Sequence, residues 1–143
     1  MTSVIAKGAK FQRWCTSVAN SNAGARIKLI RTGVAADVLV SASEHFGMPR
    51  AQFVKFMGMS PATAERKIKS RSLLGPVESE RLERLAIIED AAEKVFGNAE
   101  MAKKWIMQKN LALGGTPLSM LDTQTGAGEV RKVLASIAYG GAV

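Results

Sequence analysis

The stretch "MPRAQFVKFMGMSPATAERKIKSR", residues 48–71, reads as two short helices joined by a glycine turn. Pro49 fits the first turn of a helix that carries Phe53, Val54 and Met57 on one side and stops at Gly58. Ser60 is a natural N-cap and Pro61 suits the first position of a second helix, which runs to about Ser70. That second helix is dense in Arg and Lys. The pair forms the helix-turn-helix pattern, in which the second helix lies in the major groove of a duplex while the first braces it. The helical period turns Ala64 and Ile68 inward and leaves Ala62, Thr63, Arg66, Lys69 and Ser70 outside. Arg66 is expected to read a guanine, because its planar fork pairs with two acceptors at once. Thr63 stands near the helix start, where base edges are usually reached. Arg50, Lys67, Lys69 and Arg71 are expected on phosphates, giving affinity and register without sequence choice. The Ser60 hydroxyl, with the backbone N–H groups at the helix start, could hold one more phosphate. Glu65 is expected simply to hold its neighbour Arg66 in place.

Upstream, Val38, Leu39, Ala42 and Phe46 share one helical face within Ala35–Phe46, and Gly47 ends that helix. His45, next to core-facing Phe46, reads as a helix-surface or partly packed histidine. Residues 1–26 are rich in Ser, Asn, Gly and Ala. Phe11, Trp14 and Val18 have helical spacing there, but Gly8 and "NSNAG" make a helix marginal, and a spacer arm is expected. Downstream of Gly75-Pro76, "VESERLERLAIIEDAAEKVFG" is the longest periodic segment, with Leu82, Leu85, Ala86, Ile88, Ala92, Val95 and Phe96 in a wide stripe. Asn98 caps another helix through about Gln108, with Met101, Trp105 and Ile106 expected inward. A last helix covers roughly Gly126 to Tyr139, with Val130, Val133, Leu134 and Ile137 on one face. No strand-like alternation of useful length appears. The expected fold is all-α, divided into an arm (1–26), a helix-turn-helix domain (27–75) packed with a C-terminal helical domain (76–143).

Charge divides the chain in the same way. Residues 1–72 hold twelve Lys or Arg against three Asp or Glu, a balance of +9, whereas residues 73–143 stand at −1. Positive charge confined to one half is the footprint of a half that meets a polyanion. A merely solubilising surface is the bland alternative. The one cysteine, Cys15, cannot form an internal disulfide, and with one histidine it cannot build a zinc site. No signal peptide or membrane-length apolar run is visible, so a cytoplasmic location is expected. No Ser–His–Asp or His–Cys series and no clustered carboxylates appear, so no enzyme, cofactor, metal or small-molecule substrate is expected.

The stretch "NLALGGTPLSMLDT", residues 110–123, is over-specified for a surface loop. Gly114 and Gly115 permit backbone dihedrals that other residues adopt only at a cost. Thr116 can then cap, and Pro117 begin, a short helical turn that buries Leu118 and Leu121, with Asp122 or Thr125 capping the final helix. A phosphate cradle is disfavoured, because no Lys follows the glycines as in a P-loop.

"ESERLERL", "VFGNAEMAKKWIMQKN", "LALGGTPLSMLDTQTG" and "LASIAYG", together with "GMSPATAERKIK", resemble the Xre/MbcA/ParS antitoxins, the partners of RES-domain toxins. The resemblance covers about residues 27–143. It implies a type II antitoxin whose distal domain binds a RES-domain toxin that consumes NAD and blocks its active site. It also implies an N-terminal domain that binds operator DNA and represses the operon. Carried over by position, the toxin-facing residues are Trp105 and Lys109, the loop Asn110 to Thr116 with Leu113, Gly114 and Gly115, and Tyr139, Gly140 and Gly141 at the end of the last helix. Each has a plainer role available: Trp105 as core, Asn110 as a helix end, the small apolar tail "YGGAV" as a frayed terminus rather than a segment inserted into a cleft. A homodimer is expected, since paired half-sites compensate for the few contacts of one short reading helix. The competing reading is a stand-alone helix-turn-helix regulator whose distal half only dimerises.

Overall fold

The computed structural model describes residues 2–140, with side chains from residue 9 onward. The chain is all-α. In order, the helices are α1 (Thr2–Ala19), α2 (Ala23–Thr32), α3 (Val38–Phe46), α4 (Arg50–Phe56), α5 (Pro61–Lys69), α6 (Pro76–Phe96), α7 (Ala99–Met107) and α8 (Gln124–Ala138), with a short 3-10 turn at Leu118–Asp122. Only single β-bridges, Ala35 with Leu73 and Asn110 with Gly115, occur among the described residues.

Helix α6 organises the rest. Pro76 occupies its first turn, where a missing N–H costs nothing, and Gly97 closes it in the left-handed conformation. At 21 residues it is roughly 31 Å long. Leu82, Leu85, Ala86, Ile88 and Ala92 are fully buried, as the stripe predicts. So are Ser79 and Glu89, and Arg84 and Asp90 are nearly so, which means that most of the helix circumference is covered. α1, α2, α7 and α8 pack around it, with the 3-10 turn alongside. The polar residues on those faces have partners. Ser79 accepts from the Val34 N–H at 2.9 Å and donates to the Leu74 carbonyl. The carbonyl of Val34 in turn receives the Leu74 N–H at 2.8 Å. One buried hydroxyl thus ties the link between α2 and α3 to the link between α5 and α6.

The N-terminal arm departs from expectation. It is not a spacer: α1 lies against α6 and α3, with Phe11 fully buried and Cys15 and Val18 nearly so. The reason is tertiary. An 18-residue helix with glycine in it is weak alone, but it gains stability by burying one apolar face. Asn22 then caps α2, its side chain accepting from the Ala25 N–H at 2.8 Å. His45 is likewise neither at the surface nor partly packed. It is buried, with Nε2 at 2.8 Å from Glu89 Oε1 and its ring 5.1 Å from that of Phe11. Burial pushes the Cys15 thiol well above its usual range, and Glu89, Asp90 and Glu93 add to this by disfavouring a thiolate.

Two readings of the distal half also change. In α7, Ala102 and Ile106 face the core, so Met101, one residue round the helix, is 55% exposed instead of inward. The final helix is capped by Thr123, whose hydroxyl oxygen accepts from the Gly126 N–H at 2.9 Å, and not by Asp122 or Thr125.

Candidate functional site

Helix α5 owes its orientation to two apolar residues. Ala64 is fully buried and Ile68 packs against the core, which aims Arg66 and Lys69 at solvent. No described residue pairs with either cation. The helix start is internally closed: the Ser60 oxygen accepts from the Thr63 N–H at 3.2 Å, and its hydroxyl donates to Thr63 Oγ1 at 2.9 Å. The Ser60 hydroxyl hydrogen expected to meet a phosphate is therefore already engaged. At the other end, Lys67 Nζ donates to the Leu73 carbonyl at 3.4 Å, and Ser70 donates to the Lys67 carbonyl at 3.3 Å. Arg71, at φ 55°, turns the chain out of the helix. It borders a cleft of about 420 Å³ shared with Ala35, Ala36, Asp37, Ile68 and Ser72.

Arg50, at the start of α4, points its Nη1 at both oxygens of Glu65, at 2.9 and 3.1 Å. Glu65 thus braces Arg50 across the two helices and not Arg66 beside it. Both partners are well exposed, so the pair is worth about 0–1 kcal/mol and opens readily. One residue came from outside the motif: Arg81 of α6 lies across the turn glycine, where any Cβ on Gly58 would overlap its guanidinium. That approach joins positions 23 residues apart and leaves no local sequence signal.

The second assembly is the loop from Asn110 to Thr116. Asn110 Oδ1 accepts from the Ala112 and Leu113 N–H groups at 2.9 and 3.3 Å. The Asn110 N–H donates to the Gly115 carbonyl at 2.9 Å, and the Gly114 N–H returns to the Asn110 carbonyl at 3.0 Å. Gly114 alone takes the left-handed conformation, at φ 72°; Gly115 is not needed for that purpose. A Cβ at Gly115 would instead crowd the Ser119 hydroxyl at 3.1 Å. Thr116 caps the turn as expected, accepting from the Ser119 N–H at 3.1 Å, and Leu118 and Leu121 are buried. Arg84 anchors the turn from beneath, donating through Nη1 to the Leu121 carbonyl at 2.7 Å and through Nη2 to Glu80 at 2.6 Å.

The other expected partner-facing residues separate. Trp105 is half-buried against Phe96, ring centroids 5.9 Å apart, on the wall of a cleft of about 280 Å³. Lys109 is exposed just before the loop. Tyr139 is 91% exposed at the end of α8, roughly 20 Å along the helix axis from Gly126, where α8 meets the 3-10 turn. Gly140 follows it, and Gly141 lies outside the described residues. The loop is therefore one hydrogen-bonded unit, to which Tyr139 and Gly140 do not belong.

The α5 face and the loop fall in two different family matches. Residues 25–86 match the antitoxin Xre-like helix-turn-helix domain, and residues 91–140 match the antitoxin Xre/MbcA/ParS C-terminal toxin-binding domain. The chain is 30% identical over 113 residues to an antitoxin Xre of Yersinia enterocolitica, covering 78% of this chain and 76% of that one. This chain belongs to the Xre-type antitoxins. An antitoxin Xre of Pseudomonas putida is 40% identical over 79 residues, a match that spans half the length of that relative. A protein of Sphingobium named Prs ADP-ribosylating antitoxin is 30% identical over 125 residues, or 79% of its length. In this antitoxin the exposed cations of α5 fall within the helix-turn-helix match, and the Asn110–Thr116 loop falls within the toxin-binding match. Among the described residues there is no cluster of metal-ligating side chains, and no helix is long and apolar enough to cross a membrane.

Proposed function

We propose that this antitoxin neutralises a RES-domain toxin that consumes NAD, by lying over its active site, and that it represses its own operon by binding operator DNA as a homodimer. The observation that carries this reading is the separation of two prepared surfaces. One is the outer face of α5, where Arg66 and Lys69 have no described partner. The other is a loop locked by its own hydrogen bonds within the toxin-binding match. Arg66 is the base reader, with Thr63 beside it; Lys69, Arg71 and Arg50 meet phosphates, Arg50 leaving Glu65 as the duplex arrives. Lys67 and Ser70, tied to their own chain, serve chiefly to hold the end of α5. The Sphingobium relative's name links that protein to ADP-ribosylation, a chemistry that draws on NAD, and this accords with an NAD-consuming partner.

The decisive experiment co-expresses the chain with the product of the neighbouring reading frame. The two should co-purify, cellular NAD should recover from the level seen with the neighbour alone, and the complex or the free antitoxin should retard a promoter fragment. Co-purification without any change in NAD would remove the NAD-consuming toxin; promoter binding with no protein partner would favour the stand-alone regulator.

A further inference from the structure

Leu111 is 99% exposed, so its side chain contributes nothing to the packing of its own chain. The backbone that carries it is nonetheless fixed. Asn110 receives two N–H groups on its side chain, closes the loop through Gly115, and accepts the Gly114 N–H on its carbonyl. Arg84 secures the following turn through Leu121. A large apolar side chain held outward on a rigid loop pays little ordering cost when a partner arrives. That is the character of an interface anchor.

The surroundings indicate what covers it. Helix α7 leads straight into the loop and presents Met101, 55% exposed, beside the cleft formed with Phe96, Trp105 and Gln108. Lys104 lines the same cleft and Lys109 immediately precedes the loop; neither has a partner among the described residues. We propose that Leu111 is the anchor with which this antitoxin engages its toxin, seated in an apolar pocket of the toxin whose rim carries carboxylates opposite Lys104 and Lys109. This rests on the toxin-binding reading above and adds the side chain and the chemistry of the contact. A second copy of the chain is the poorer occupant. A two-fold contact centred on Leu111 would bring the same lysines of both copies together, and like charges across an interface are unfavourable.

The test compares wild type, Leu111→Ala, Leu111→Asp and the double variant Lys104→Glu/Lys109→Glu. Calorimetry measures binding to the purified product of the neighbouring frame; melting and promoter binding serve as fold controls, and sedimentation reports the free antitoxin. Leu111→Ala should weaken toxin binding at least tenfold and Leu111→Asp should abolish it, with melting and promoter binding unchanged because the residue is wholly exposed. The double variant should lose affinity most at low salt. Wild-type affinity in Leu111→Ala overturns the anchor while leaving the toxin reading intact. No binding by wild type overturns the toxin reading and the anchor with it. A Leu111 variant that binds toxin normally but no longer self-associates shows that a second copy covers this residue, and also overturns the inference.

Discussion

Arg66 and Gly126 show how differently single residues act in this molecule. Arg66 reaches solvent from a helix whose rotation Ala64 fixes, so its removal leaves the fold intact. Arg66→Ala should relax discrimination at one base position by about 1–3 kcal/mol, measured by binding to operators mutated one pair at a time, with toxin binding unchanged. Loss of the toxin with retention of DNA would invert the division of labour. Gly126 is the opposite case. It sits in the first turn of α8, and a Cβ there would overlap the Met120 carbonyl, which is backbone and cannot swing aside. Gly126→Ala should therefore cost about 1–3 kcal/mol of stability in chemical denaturation and disturb the turn that supports the loop. A variant as stable as wild type would mean that α8 slides freely on the turn. The sequence pointed to Arg66 by its helical position; it gave no sign of the contact at Gly126.

At the scale of elements, the helices bounded by proline and glycine were legible and the N-terminal pair was not. Pro49, Pro61, Pro76, Gly47 and Gly97 act on their own neighbours, so their effect survives in a bare sequence. α1 has no such punctuation. Its stability comes from Phe11, Cys15 and Val18 fitting against α3 and α6, including the ring contact between Phe11 and His45. Phe11→Ala should destabilise the whole protein by about 3–5 kcal/mol, read as a lower denaturation midpoint with cooperative unfolding retained. If α1 were a dispensable arm, that substitution would leave the midpoint where it is. Met101 illustrates a finer limit. The spacing of α7 allowed two adjacent faces to be the inner one, and only contact with α6 chose Ala102 and Ile106.

On the scale of the whole molecule, the +9 balance of residues 1–72 sets how the protein meets DNA. Binding should fall with added salt along a log–log slope of roughly −0.9 for each phosphate engaged. Arg50→Ala should make that slope shallower by about one contact without changing sequence preference. A flat slope would contradict phosphate-driven affinity. The two halves are not independent bodies, because α6 is shared: Ser79 ties the links at the start of the helix-turn-helix to the link after it, Glu89 holds His45, and Arg84 holds the turn at Leu121. No large face of α6 is left open, so any contact between two copies of the chain would fall on other helices.

The all-α class, the position of the helix-turn-helix, the segregation of charge and the family can all be read from the bare chain. Each follows from residues close together in the chain or from plain composition. Packing in three dimensions makes the arm part of the core, sets Glu65 against Arg50, and buries Arg84 and His45 with partners 37 and 44 residues away. It also sets the loop apart from the end of α8. Such pairings depend on which helices meet across α6, and no local pattern encodes the meeting of two segments that are distant in the chain.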